Sequence, residues 1–247
     1  MKEAESSRKL AKILSLIVVG TLALAAASMA WSIDPNAPEI DLEQFHDHFS
    51  LSLYDYPRAT AAPLGIAGFD FYVEATYGPH FDEPAYRHTV LDGSLPGGFL
   101  SVARVGVRKG LPGNLNVGAS YGRVVGLGMN VLAAHLSWAL NDGGLVTPTL
   151  AFRLTASKSQ GNSDYQLNQY GLEAVLSKGF TVLTPYVGAG LVRSDGTFHR
   201  LTGDFSVNTT KPVLFAGATL HLLIPRLTVE VEKGESLQAA IRIGFGL

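Results

Sequence analysis

The sequence predicts an all-β protein, an antiparallel barrel of about ten strands. Three observations predict it. From Ile66 to the chain end, strand-length segments alternate apolar residues with polar or small ones. The segments number about ten, an even count. The links between them broadly alternate long and short. Composition agrees: 47% of residues are apolar, 16% are charged and 27 are glycine, which excludes a disordered chain.

The first thirty residues are not part of that pattern. Lys2, Arg8, Lys9 and Lys12 form a basic stretch, and Ile13 to Ala27 is an apolar run too short to span a bilayer comfortably. Ser28-Met29-Ala30 places small residues around a cleavage point after Ala30. Residues 1–30 therefore read as a secretory signal peptide, with a retained anchor as the alternative. The remaining chain carries 15 basic and 19 acidic residues, a formal charge of −4, which argues against a nucleic-acid partner. With no cysteine there is no disulfide, thiol chemistry, Cys-based metal site or lipid anchor on Cys. Beyond residue 30 no apolar run is long enough for a membrane helix, so membrane residence would require a closed barrel.

Residues 31–65 are acidic, proline-bearing and non-alternating. Pro38 to Leu51 suits a short helix with Ile40, Leu42, Phe45 and Phe49 on one side. The segment reads as a periplasmic lead-in or plug, with a disordered linker as the alternative.

Residues 66–247 are the expected barrel. In "GFDFYVEATY", Phe69, Phe71, Val73, Ala75 and Tyr77 oppose Asp70, Tyr72, Glu74 and Thr76. "FLSVARVGVRK" sets Ala103, Val105 and Val107 against Arg104, Gly106 and Arg108. "LNVGASYG" sets Val117, Ala119 and Tyr121 against Asn116, Gly118 and Ser120. "VLAAHLSWAL" sets Leu132, Leu136 and Trp138 against Ala133, His135 and Ser137. "TLAFRLTAS" opposes Phe152 and Leu154 to Arg153 and Thr155, and "QYGLEAVLSK" opposes Tyr170, Leu172 and Leu176 to Gly171 and Glu173. "TPYVGAGLVR" is strand-like with ambiguous facing. "LFAGATLHLL" opposes Leu214, Ala216 and Leu220 to Gly217, Thr219 and His221, and "LTVEVE" opposes Val229 and Val231 to Glu230 and Glu232. The last strand, "SLQAAIRIGFGL", opposes Ile241, Ile243 and Phe245 to Gln238 and Arg242.

The links at Gly78 to Gly98 and at "SDGTFHRLTGDFSVNTT" are long, and "KGLPGN", "KGFTV" and "IPR" are short; "KGES" departs from the alternation. Tyr77, Phe99, Tyr121 and Tyr170 fall near one set of strand ends, and Phe180 and Phe245 near the other, as interfacial belts require. A soluble β-sandwich in the periplasm is the competing fold, because its strands also alternate.

The ending "SLQAAIRIGFGL" resembles the C-terminal strand of bacterial outer-membrane β-barrel proteins, although it closes on Leu247 with Phe245 two places earlier rather than on an aromatic. "APLGIAGFDFYVEAT", "VRKGLPGNLNVGASYGR" and "GLEAVLSKGFTVLTPYVGAGLV" are similar to a family of such proteins without an assigned activity. The resemblance spans roughly residues 60–247. It implies a transmembrane barrel in the bacterial outer membrane, contact with outer-membrane lipid and lipopolysaccharide, and recognition of the last strand by the barrel-assembly machinery. It assigns no functional residue and no cofactor.

Function would sit on the lumen face. That face carries Asp70, Glu74, Arg104, Arg108, Arg153, Glu173, Glu230, Glu232 and Arg242. Opposite signs fall on strands one–two, five–six and nine–ten, and closure brings ten beside one. The expectation is a network of compensating charges, with a charged constriction for ions or small polar solutes as the alternative. Arg242 is expected between Glu230 or Glu232 and Asp70 or Glu74. His135 and Ser137, two apart on one strand face, are candidates for a base–nucleophile pair. Outer-membrane lipid A deacylases carry a similar His-x-Ser, but here Trp138 and Ala139 depart from the continuation expected there, and no acidic third partner is identifiable. His46 and His48 lack a fixed third metal ligand. The expected function is a small outer-membrane barrel, structural or a narrow passive channel for small solutes; the alternatives are an outer-membrane enzyme acting on lipid A or phospholipid and a soluble periplasmic β-sandwich binding protein.

Overall fold

The structure, a computed structural model, describes residues 31–80, 86, 89–90, 98–143, 147–201, 203–222 and 225–246. The expected signal peptide and the closing Leu247 lie outside the described residues. Helix α1 (Glu39–Leu53) precedes ten strands: β1 (Phe69–His80), β2 (Phe99–Leu111), β3 (Leu115–Val124), β4 (Asn130–Ala139), β5 (Thr149–Gln160), β6 (Tyr165–Ser177), β7 (Leu183–Phe198), β8 (Phe205–His221), β9 (Pro225–Lys233) and β10 (Leu237–Gly246). Each strand pairs antiparallel with its neighbour in sequence, and β10 returns to β1 to close the wall. Closure leaves no strand edge unpaired. The single closed sheet is not the two-sheet sandwich kept as an alternative above.

The period-two pattern decides which side chains face outward. Phe71, Leu132, Leu154, Tyr170, Leu172, Leu214 and Ile241 are exposed on the outer surface, while their neighbours Asp70, Arg153, Gly171, Glu173 and Arg242 point into the lumen and are buried. An exposed apolar band of this extent is unsuited to water and suited to lipid. β7 also gains a facing: Val187 and Leu191 lie outward, Tyr186 and Val192 inward.

The link expected at "SDGTFHRLTGDFSVNTT" is largely strand. β7 and β8 stay paired from Leu183↔Leu220 up to Phe198↔Phe205. Beyond the apolar band the outward side chains become polar (Arg193, Asn208, Thr210), so alternation fades while the backbone ladder continues.

The two ends of the barrel differ. We call near the end where β1 begins and β10 finishes, and far the opposite end. The Asn162 amide donates to the Trp31 carbonyl (3.3 Å), and Ile33 N–H donates to Asp164 (3.2 Å), in the far-end turn between β5 and β6. At the near end Leu64 N–H donates to Asn116 Oδ1 (2.8 Å) beside the β2–β3 turn. Residues 31–64 therefore run the length of the lumen before the wall begins. Gly65, at φ 74°, makes the reversal into β1 in a conformation that disfavours a side chain. α1 buries Leu42, Phe45, Phe49 and Leu53 against Trp31, Tyr86, Tyr165 and Phe198 in the far half. Ile40, expected on that face, is 59% exposed, because two residues rotate it about 200° from Leu42.

Candidate functional site

An irregular segment at membrane depth must have its backbone polar groups satisfied by the wall around it. The last carbonyls of α1 have no partner within the helix, and wall side chains supply donors. Gln169 Nε2 donates to Ser50 O (2.8 Å) and Gln238 Nε2 to Leu51 O (3.1 Å). Arg104 Nη2 donates to Leu53 O (2.8 Å) and Tyr54 O (3.2 Å). Further down, Arg242 Nη1 donates to Arg58 O (3.1 Å), and Arg153 Nη2 to Ala59 O and Thr60 O. Ser177 Oγ accepts from Ala61 N–H (3.0 Å). Three of the wall arginines read from the sequence thus contact the threaded segment as well as carboxylates.

The charged groups of the segment complete the arrangement. Arg58 is buried, with its side chain 1% exposed. Its Nε donates to Glu232 Oε1 (2.6 Å) and lies 3.7 Å from Glu230 Oε1, and its Nη1 donates to Glu74 Oε1. Arg104 bridges Glu74 (3.2 Å) and Asp55 (3.4 Å), and Ser120 donates to the other Asp55 oxygen (2.8 Å). Arg153 lies 3.8 Å from Glu173. At the near end Asp70 meets Arg242 (2.6 Å), Arg226 (3.0 Å) and Arg108 (3.9 Å).

Two expectations are corrected by the register. Arg242 stands opposite Thr228 and Glu74, not opposite Glu230 or Glu232. Its guanidinium pairs with Asp70 and lies 3.5 Å over the Tyr72 ring. The two β9 glutamates are instead held by Arg58, because β10 presents Gln238 and Ala240 to them. Arg58, Asp55 and Arg226 are not among the lumen charges that the alternation pattern identifies. Only the register reveals the need: β8 and β10 place no base opposite the β9 glutamates, so their cation comes from the threaded segment.

Glycines shape the wall to its contents. A Cβ on Gly171 would overlap the Tyr54 phenol, and one on Gly196 would overlap the His46 ring.

Among solved structures, the chain is similar to barrels of the bacterial outer membrane. The N-terminal β-barrel domain of Pseudomonas aeruginosa OprF is 14% identical, with a TM-score of 0.37, covering 72% of this chain and 97% of that one. The KdgM porin is 6% identical, with a TM-score of 0.38, covering 70% and 98%. LpxR from Salmonella typhimurium is 13% identical, with a TM-score of 0.39, covering 71% and 99%. These are likenesses of architecture and bring no residue role. No family model and no curated protein matches the chain.

His135 and Ser137 both face the lumen and are buried. Ser137 Oγ accepts from Asn116 Nδ2 (3.1 Å), and neither ring nitrogen of His135 has a hydrogen-bond partner among the described residues. Their strand spacing puts them on one face but about 6–7 Å apart along it, and the described contacts supply no carboxylate to orient the imidazole. His46 Nε2 lies 3.2 Å from the Ser194 carbonyl, which can only accept; the proton is therefore on Nε2, and Nδ1 accepts from the Tyr165 hydroxyl (2.7 Å). His48 contacts Ser236 (3.1 Å) on another side of α1. No metal-ligand cluster occurs among the described residues.

Proposed function

We propose that this chain is an outer-membrane barrel closed by its own N-terminal segment, with a structural rather than conductive role. The observation that carries this reading is Arg58, which the segment inserts among Glu74, Glu230 and Glu232 in the middle of the lumen. An open pore would leave those carboxylates facing water. Here they are 5% exposed or less, and the arginine that neutralises them belongs to the plug. The apolar outer band supports lipid contact, and the fold supports residence in the bacterial outer membrane with lipopolysaccharide around it. Assembly through the last strand by the barrel-assembly machinery follows from the same reading.

The test is electrical. Purified protein inserted into a planar bilayer is expected to carry no steady current. Sustained single-channel openings by the unmodified protein would instead favour a narrow passive channel.

A further inference from the structure

The charges of the lumen are not evenly mixed along its axis. The middle holds Arg58 and Arg104 among Asp55, Glu74, Glu230 and Glu232. The near end reverses the balance: among the described residues, three guanidiniums surround the one carboxylate of Asp70. Asp70 is shared unequally. Arg242 and Arg226 take its two oxygens at 2.6 and 3.0 Å, within hydrogen-bond range. Arg108 is left at 3.9 Å, too far for a hydrogen bond. It has no other acceptor among the described residues, although it is only 6% exposed. Its N–H groups reach the space beside them and are open to an acceptor that enters it.

Arg108 lines a cavity of about 40 Å³ at this end, together with Arg226, Arg242 and the hydroxyls of Thr219 and Thr228. Among the described residues, Asp70 is the only carboxylate on its lining. At roughly 10–15 Å³ per water, the space suits a group of three or four oxygens rather than a sugar ring. Guanidinium groups match the oxygens of phosphate with paired N–H donors. The threonine hydroxyls, 2.9 Å apart, add a donor.

We propose that the near-end cavity is a binding site for a tetrahedral oxyanion of the phosphate class. Arg108 and Arg226 contact it directly. Asp70 takes one N–H group each of Arg242 and Arg226, and the anion is met by the N–H groups of Arg108 and by those of Arg226 that Asp70 leaves free. The same chemistry is offered by free phosphate and by the headgroup of an anionic phospholipid. The proposal stands on the cavity and its arginines and does not depend on whether the lumen conducts.

The experiment uses the full chain folded in a maltoside micelle, free of phosphate and sulfate. Inorganic phosphate and, separately, a short-chain phosphatidic acid are titrated by calorimetry, with chloride as control. Saturable phosphate binding is expected. Arg108→Gln and Arg226→Gln are each expected to weaken it roughly ten-fold or more, while the exposed Arg193→Gln leaves it unchanged. Saturation by phosphatidic acid alone, with the same sensitivity to both variants, supports the site with lipid as the source. If Arg108→Gln does not fold, judged by circular dichroism, Arg226→Gln decides, since that side chain is 23% exposed at the mouth. No saturable binding of either probe, or binding indifferent to the folded variants, overturns the proposal.

Discussion

Arg58 and Arg242 illustrate how little a residue's type says about its weight. Both are buried arginines paired with carboxylates. Removing Arg58 leaves Glu230 and Glu232 with no basic partner among the described ion pairs, whereas Glu74 keeps Arg104. Arg58→Ala is therefore expected to destabilise the folded barrel by about 3–5 kcal/mol, read from urea unfolding in lipid vesicles. Removing Arg242 leaves Asp70 with Arg226 and Arg108. Arg242→Ala is expected to cost less, about 1–3 kcal/mol. An Arg242 variant more damaged than the Arg58 variant would contradict this apportioning. Arg193, 58% exposed in its pair with Asp195, provides the baseline: its loss is expected to cost at most about 1 kcal/mol.

At the scale of elements, α1 and the extended stretch behind it are held by the wall more than by themselves. The first turn of α1 carries Glu39 and Asp41, which favours its N-terminus, but its last turn has no basic residue. Gln169, Gln238 and Arg104 of the wall serve its C-terminal carbonyls instead. The contact can be trapped. A Cβ at Gly78 on β1 would lie 3.6 Å from the Ser52 Cβ on α1, inside the range a disulfide needs. The chain has no native cysteine. Ser52→Cys with Gly78→Cys is expected to cross-link under mild oxidation, seen as a gel shift reversed by reductant. The Gly78 Cβ would also stand 3.3 Å from the Leu100 carbonyl, so a small local shift accompanies the bond. Failure of the pair to oxidise in folded protein would place α1 elsewhere.

For the whole molecule, the question is which solvent the outer face meets. Leu154 is 53% exposed near the middle of β5, with Leu136 and Leu172 opposite it on the flanking strands. On a water-facing surface, Leu154→Arg would be nearly neutral. On a lipid-facing one it is expected to cost about 2–4 kcal/mol at the bilayer midplane. Folding measurements in vesicles separate the two, and an indifferent result would remove the membrane reading. The closed wall also predicts that unboiled protein migrates differently from boiled protein on a denaturing gel, since closure leaves no edge from which to unzip.

The sequence by itself determined the wall. Alternation is a local property: each side chain's polarity and the two-residue period of a strand are enough to sort Leu154 outward and Arg153 inward. That is why the strands and the facing of most of them are legible in the sequence, while the facing of β7 and the lumen charges Arg226, Arg58 and Asp55 are not. Where polarity ceased to alternate, in the far extensions of β7 and β8, the same reasoning stopped short although the ladder did not. Only the tertiary structure decided what fills the barrel. Arg58 and Glu232 are 174 positions apart, and no periodicity links them. Threading and closure put them in contact, and burial then makes that contact matter, because charges removed from water must find each other or be satisfied by backbone.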